Sequence, residues 1–100
     1  MIVKILNYDI NTEKIVFLTP LTESYDTNYD TRVQHFFLQF NVHFGKDFYL
    51  TLRFEEANLK PGNKVSQEFK TEIQNLKSQL SSVLSESQKE LTSKMIANEH

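Results

Sequence analysis

Three oxygen-bearing side chains at alternate positions, Asp26, Asn28 and Asp30, are the first candidates for chemistry in this chain. They lie in Ser24-Tyr-Asp-Thr-Asn-Tyr-Asp-Thr31, where a four-residue unit occurs twice, and they match the opening of a calcium loop. Such a loop needs oxygen ligands at its first, third and fifth positions, a glycine at the sixth and a bidentate glutamate at the twelfth. Here the sixth position is Thr31 and the twelfth is Phe37. The ligand set is too small to hold an ion, so no metal is assigned. The expectation is a polar loop over 21–31, its Asp and Asn side chains bonded to nearby backbone. Tyr25 and Tyr29 are its possible contacts for a protein partner, since exposed tyrosine is enriched at interfaces.

Other reactive side chains are sparse. His35 and His43 are eight residues apart in one strand-like run, about 26 Å at about 3.3 Å per residue, too far to share an ion. His100 is the last residue, and the chain has no cysteine, which excludes disulfides and thiolate metal sites. There is no nucleophile elbow, phosphate loop or glycine-rich dinucleotide turn. With two glycines in 100 residues, few points let backbone approach a phosphate closely. Glu55 and Glu56 are adjacent on a strand end, so they point to opposite faces and make a poor carboxylate dyad. The reading is a non-enzyme without cofactor.

The elements that carry these residues read as α+β. Residues 2–8 and 14–19 are β-branched and apolar around a polar 9–13, which predicts a β-hairpin; Pro20 ends its second strand. Both arms are apolar on both faces, as in a strand covered on both sides. From Arg32 to Phe44 one face carries Phe36, Leu38, Phe40, Val42 and Phe44; after Gly45-Lys46-Asp47 it continues with Phe48, Leu50, Leu52 and Phe54. This is a long amphipathic hairpin. Opposed residues share a face, so a three-residue loop is required, pairing Phe44 with Phe48, Val42 with Leu50 and Phe40 with Leu52; a slip of one residue would turn the apolar face into water. These nine side chains are the expected core.

Lys60-Pro61-Gly62-Asn63 is a turn followed by a helix start, with Asn63 or Ser66 as N-cap. Val65, Phe69, Ile73, Leu76, Leu80 and Val83 then form one helical stripe, and the phase shifts to Leu84, Leu91 and Met95 across a Ser/Gln/Glu-rich interval. A helix over 64–95 would be about 48 Å long, so it either overhangs the sheet or breaks near Ser85–Ser87. The expectation is a single domain, 1–100: a four-stranded antiparallel meander of two hairpins over 2–56, one long C-terminal helix of about 64–95 on one face, and a frayed C-terminal tail. This order of elements is similar to that of export-chaperone subunits, a likeness of element order alone that implies no residue role.

Composition narrows the function classes. Net charge is −2, from 11 basic and 13 acidic residues, and no basic cluster is present, which disfavours nucleic acid. The first residues lack a signal peptide's layout, and no apolar run approaches a membrane span; the expectation is a soluble cytoplasmic protein. One helix covers one sheet face, and the outer face still offers Val33, His35, Phe37, Tyr49 and Arg53. The helix end adds Leu84, Leu91 and Met95. Uncovered apolar surface of this kind marks interaction sites. The expected function is a small protein-binding module acting by protein–protein contact, as an adaptor, chaperone-like protein or inhibitor, and forming homo-oligomers. The alternative is a nucleic-acid-binding regulator that stacks bases on the aromatic outer face.

Overall fold

The computed structural model describes residues 1–45 and 47–98, with side chains as far as Lys94. In chain order the elements are β1 (Ile2–Ile5), β2 (Tyr8–Asn11), β3 (Phe17–Leu18), β4 (Thr22–Thr27), β5 (Gln34–His43), β6 (Tyr49–Phe54), α1 (Gln67–Ser82) and α2 (Glu86–Asn98). The fold is α+β with antiparallel sheets. No described helix is long and apolar enough to cross a membrane.

The alternating hairpin forms in the register that its pattern requires. Phe40 faces Leu52 and Val42 faces Leu50, and the Phe44 N–H donates to the Phe48 carbonyl at 2.9 Å across the three-residue loop. The even-numbered face is the inner one. Leu38, Phe40, Val42, Leu52 and Phe54 are buried there in one cluster with Ile73 and Leu80 of α1. One expected core member departs from the pattern: Phe48 is 67% exposed, because it lies at the loop end of the hairpin, outside that buried cluster.

The rest of the sheet differs from a four-stranded meander of two hairpins. The first hairpin is β1–β2, a separate two-stranded sheet, turned tightly at Leu6-Asn7, with Leu6 at φ +56°. Ile5 and Ile10 of this hairpin, and Ile15 beyond it, enter the common core, so their apolar character closes that core. The polar segment expected as a loop is largely a strand: β4 spans the first tetrad and pairs with β5, Tyr25 against Phe36 and Asp26 against His35. Only the second tetrad turns, with Asn28 Oδ1 accepting from the N–H groups of Asp30 and Thr31. β3 and β4 lie along the same side of β5. The pairing sum is 60 in β3 (17 with 43) and 61 in β4 (22 with 39), so Thr19-Pro20-Leu21 holds one extra residue, a bulge. There Asn41 N–H is taken by Thr19 Oγ1 at 2.7 Å.

The single long helix is two. A straight helix over 64–95 would exceed the molecule's 45 Å longest extent at about 1.5 Å per residue. α1 starts at Ser66, whose Oγ accepts from Phe69 N–H at 3.1 Å; Asn63 is not the cap. The chain breaks at Val83–Ser85, and α2 restarts with a capping box: Gln88 Oε1 accepts from Ser85 N–H at 2.6 Å, and Ser85 Oγ accepts from Gln88 N–H at 3.4 Å. Gln88 Nε2 also donates to the carbonyls of Thr12 (2.9 Å) and Ile15. Thr92 Oγ1 accepts from Leu18 N–H at 3.0 Å, so α2 seals the open edge of β3. Helix continues to Asn98, and any frayed tail falls on residues 99 and 100, outside the described residues.

Candidate functional site

The outer face of the sheet carries the odd-numbered residues of β5 and β6. At one end, Phe37 sits centrally on β5 and is 5% exposed although it lies outside the core cluster that α1 joins. Arg53 is its roof, with the guanidinium carbon 3.7 Å from the ring centroid. Arg53 is held there by Asp26 at 2.7 Å and Glu55 at 2.9 Å, and Glu55 also meets His35 at 3.2 Å. Burial alone pulls the guanidinium pKa down; the hydrogen bonds and charges of Asp26 and Glu55 reverse this and leave it raised. The cross-strand partners of Phe37 and Arg53, Ser24 and Gln39, are polar, and the face is a bonded network: Gln39 donates to Ser24 at 3.3 Å, and Thr51 to Asn41 at 2.8 Å.

At the other end, Phe17, His43 and Tyr49 stack across three strands. The His43 ring lies 4.1 Å from Phe17 at 16° and 5.0 Å from Tyr49 at 27°. Burial lowers the His43 pKa below its usual value, which favours the neutral imidazole between the rings.

The structure thus brings together His35, Phe37 and Arg53, and sets Tyr49 apart in the aromatic stack. Val33 precedes β5 and packs beside Gly62 instead of on the outer face. Of the expected helix-end contacts, Leu84 is buried in the core, because the chain break turns it inward. Leu91 is exposed, and the Met95 side chain lies outside the described residues. Tyr25 is exposed on β4, tilted over Phe36, and Tyr29 stands almost fully in solvent on the turn.

A second surface was not evident from the pattern. Phe44, Phe48, Tyr49 and Leu50 at the loop end of β5–β6 face Tyr8 and Ile10 of β2 across a cavity of about 650 Å³. Phe48 is 67%, Tyr49 55% and Tyr8 44% exposed. Phe44, Phe48 and Leu50 read as core by parity and Tyr49 as outer face; the position of the β1–β2 hairpin reveals them as one wall of a groove. Among the described residues no three metal-ligating side chains converge. Asp26 faces Arg53, and the Asn28 carbonyl oxygen serves the turn. No family model matches the chain, and no curated protein or solved structure matches it.

Proposed function

We propose that this chain is a cytoplasmic protein-binding module without catalytic activity, acting by protein–protein contact as an adaptor, chaperone-like protein or inhibitor, and associating with itself. The observation that supports it is the groove of aromatic side chains beside the loop end of β6. Four rings, Tyr8, Phe44, Phe48 and Tyr49, share one concave surface, and Tyr49 joins that surface to the outer face of the sheet. Contiguous apolar surface of this kind is costly to leave in water and is typical of contact sites.

The nucleic-acid alternative has less support. Phe37 has its ring face covered by Arg53, and Arg53 is already bonded to two carboxylates, so neither is free to stack a base or meet a phosphate.

The test compares the wild-type chain with Phe48→Ser in its native host, each captured after cross-linking and read by mass spectrometry, alongside sedimentation of both. Phe48 is exposed, so the variant retains its fold by circular dichroism. Partners or self-association lost selectively in Phe48→Ser support the reading. Identical capture and identical mass for both chains would overturn it.

A further inference from the structure

The two edges of the main sheet are treated differently. On the β3–β4 edge, Pro20 lacks an N–H, the Thr19–Leu21 bulge interrupts the ladder, and Thr92 occupies the Leu18 N–H. These are the devices by which proteins prevent strands from pairing edge to edge. β6 has none of them. Among the described residues it pairs only with β5, and Tyr49-Leu-Thr-Leu-Arg-Phe54 contains no proline, no lysine and no bulge. Because the Phe44 N–H bonds to Phe48 across the loop, the even-numbered residues of β6 share their backbone bonds with β5. In an antiparallel ladder the N–H and C=O groups of the intervening Tyr49, Thr51 and Arg53 then point outward.

We infer that β6 is the surface on which this chain pairs with a second copy of itself, antiparallel about a two-fold axis at Thr51. This rests on the reading of the chain as a protein-binding module and names the partner. Only odd residues present free backbone groups, so odd must meet odd. An axis at Thr51 pairs residues 49–53 of one copy with 53–49 of the other, all within β6. Tyr49 then lies opposite the partner's Arg53, whose guanidinium stays over Phe37 between Asp26 and Glu55, so the pairing rests on backbone bonds. On the inner side Leu52 and Phe54 are already buried in the core, so the surface left to cover there is that of Leu50 and of Phe48, which is 67% exposed. Moving the axis one residue toward the C-terminus sets Phe48 against the partner's Glu56, an acid on an aromatic ring. Moving it one residue the other way carries the pairing into the 45–47 loop. The Thr51 register alone pairs all three outward residues, Tyr49, Thr51 and Arg53, within the strand. Identical patches related by a two-fold axis close on themselves, which gives a finite dimer.

The chain has no native cysteine, so one introduced thiol reports the axis. In Thr51→Cys the two thiols would sit on facing residues about 5.5 Å apart between Cα atoms, within disulfide reach. Mild oxidation of the full chain at about 100 µM should convert most of Thr51→Cys to a disulfide dimer. Tyr29→Cys, on the exposed turn, should cross-link at least about tenfold more slowly. Sedimentation of the untreated wild type should show twice the 11.8 kDa chain mass, and Thr51→Pro, which removes an outward N–H, should give monomer. A monomeric wild type would overturn the inference. So would a dimer that Thr51→Cys traps no faster than Tyr29→Cys. If either occurs while Phe48→Ser still loses a captured partner, the second copy is the wrong occupant and the protein-binding reading stands. If neither assay responds, both fall.

Discussion

Gln88→Glu separates two roles held by one side chain. The amide oxygen closes the capping box of α2 by accepting from Ser85 N–H, and the amide nitrogen ties α2 to the carbonyls of Thr12 and Ile15. Glutamate keeps the acceptor and removes the donor. Two hydrogen bonds at about 0.5–1.5 kcal/mol each place the loss near 1–3 kcal/mol. A carboxylate in the first turn of a helix returns about 0.3–1 kcal/mol, while its second oxygen is repelled by the two carbonyls it replaces as neighbours. The net expectation is a loss of about 2 kcal/mol at neutral pH. For a chain of this length, that lowers Tm by about 8–16 °C. Urea unfolding followed by circular dichroism measures it. At about pH 4 the protonated carboxyl is a donor again, so the gap to wild type at the same pH should narrow. Ser85→Ala serves as the control: it weakens the cap by about 0.5–2 kcal/mol with no such recovery. Equal stability of Gln88→Glu and wild type, or a gap of the same size at both pH values, would refute the docking of α2 described above.

Lys77 on α1 is 6% exposed, its ammonium is 5.9 Å from the Phe40 ring centroid, and desolvation lowers its pKa. It has no ion-pair partner among the described residues. Lys77→Met should therefore raise stability by about 1 kcal/mol, the lower end of what burial of a polar group costs in proteins. Since the folded pKa lies below the unfolded 10.5, the penalty is full at neutral pH and fades as pH rises from the folded value toward 10.5; the advantage of Lys77→Met, read by guanidinium unfolding, should shrink in that alkaline window. Arg53→Gln should cost about 1–2 kcal/mol, because it breaks two partly exposed ion pairs worth at most about 1 kcal/mol each and unroofs Phe37; a gap that does not shrink in 1 M salt contradicts the ionic share. Leu6→Asn should raise the thermal midpoint, since a left-handed conformation costs a bulky residue about 1–2 kcal/mol and suits asparagine; an unchanged or lower midpoint removes the strain argument.

Legibility followed the strength of the local pattern. Register in β5–β6 was fully encoded, because a period of two on both arms leaves one loop length that keeps Phe40 against Leu52. The helix stripe was equally plain through Leu80. β4 was not legible: Thr-Glu-Ser-Tyr-Asp-Thr has polar side chains on both faces, and its strand state comes from pairing with β5. The β1–β2 turn was hidden because Leu6 supplies a left-handed backbone that glycine or asparagine usually provides. The helix break had a signal that could have fixed it, the Ser85-x-x-Gln88 box. Of the site, the aromatic pairing of His43 with Tyr49 follows from the hairpin register, as does the shared face of Phe37 and Arg53. The groove does not follow, since Phe44 and Phe48 obey the same parity as the core, and what distinguishes them is the distant position of Tyr8.

The one-residue offset at Thr19-Pro20-Leu21 has a consequence for solubility. It keeps β3 and β4 from merging into a single straight strand along β5. Deleting Pro20 would bring both segments to one pairing sum and restore the missing N–H, giving β3–β4 a continuous edge that the Thr92 bond to Leu18 still interrupts. One open edge ends growth at a pair; two make each added copy a template for the next, and the product becomes a filament. Pro20 and the Thr92 bond to Leu18 thus guard this edge together.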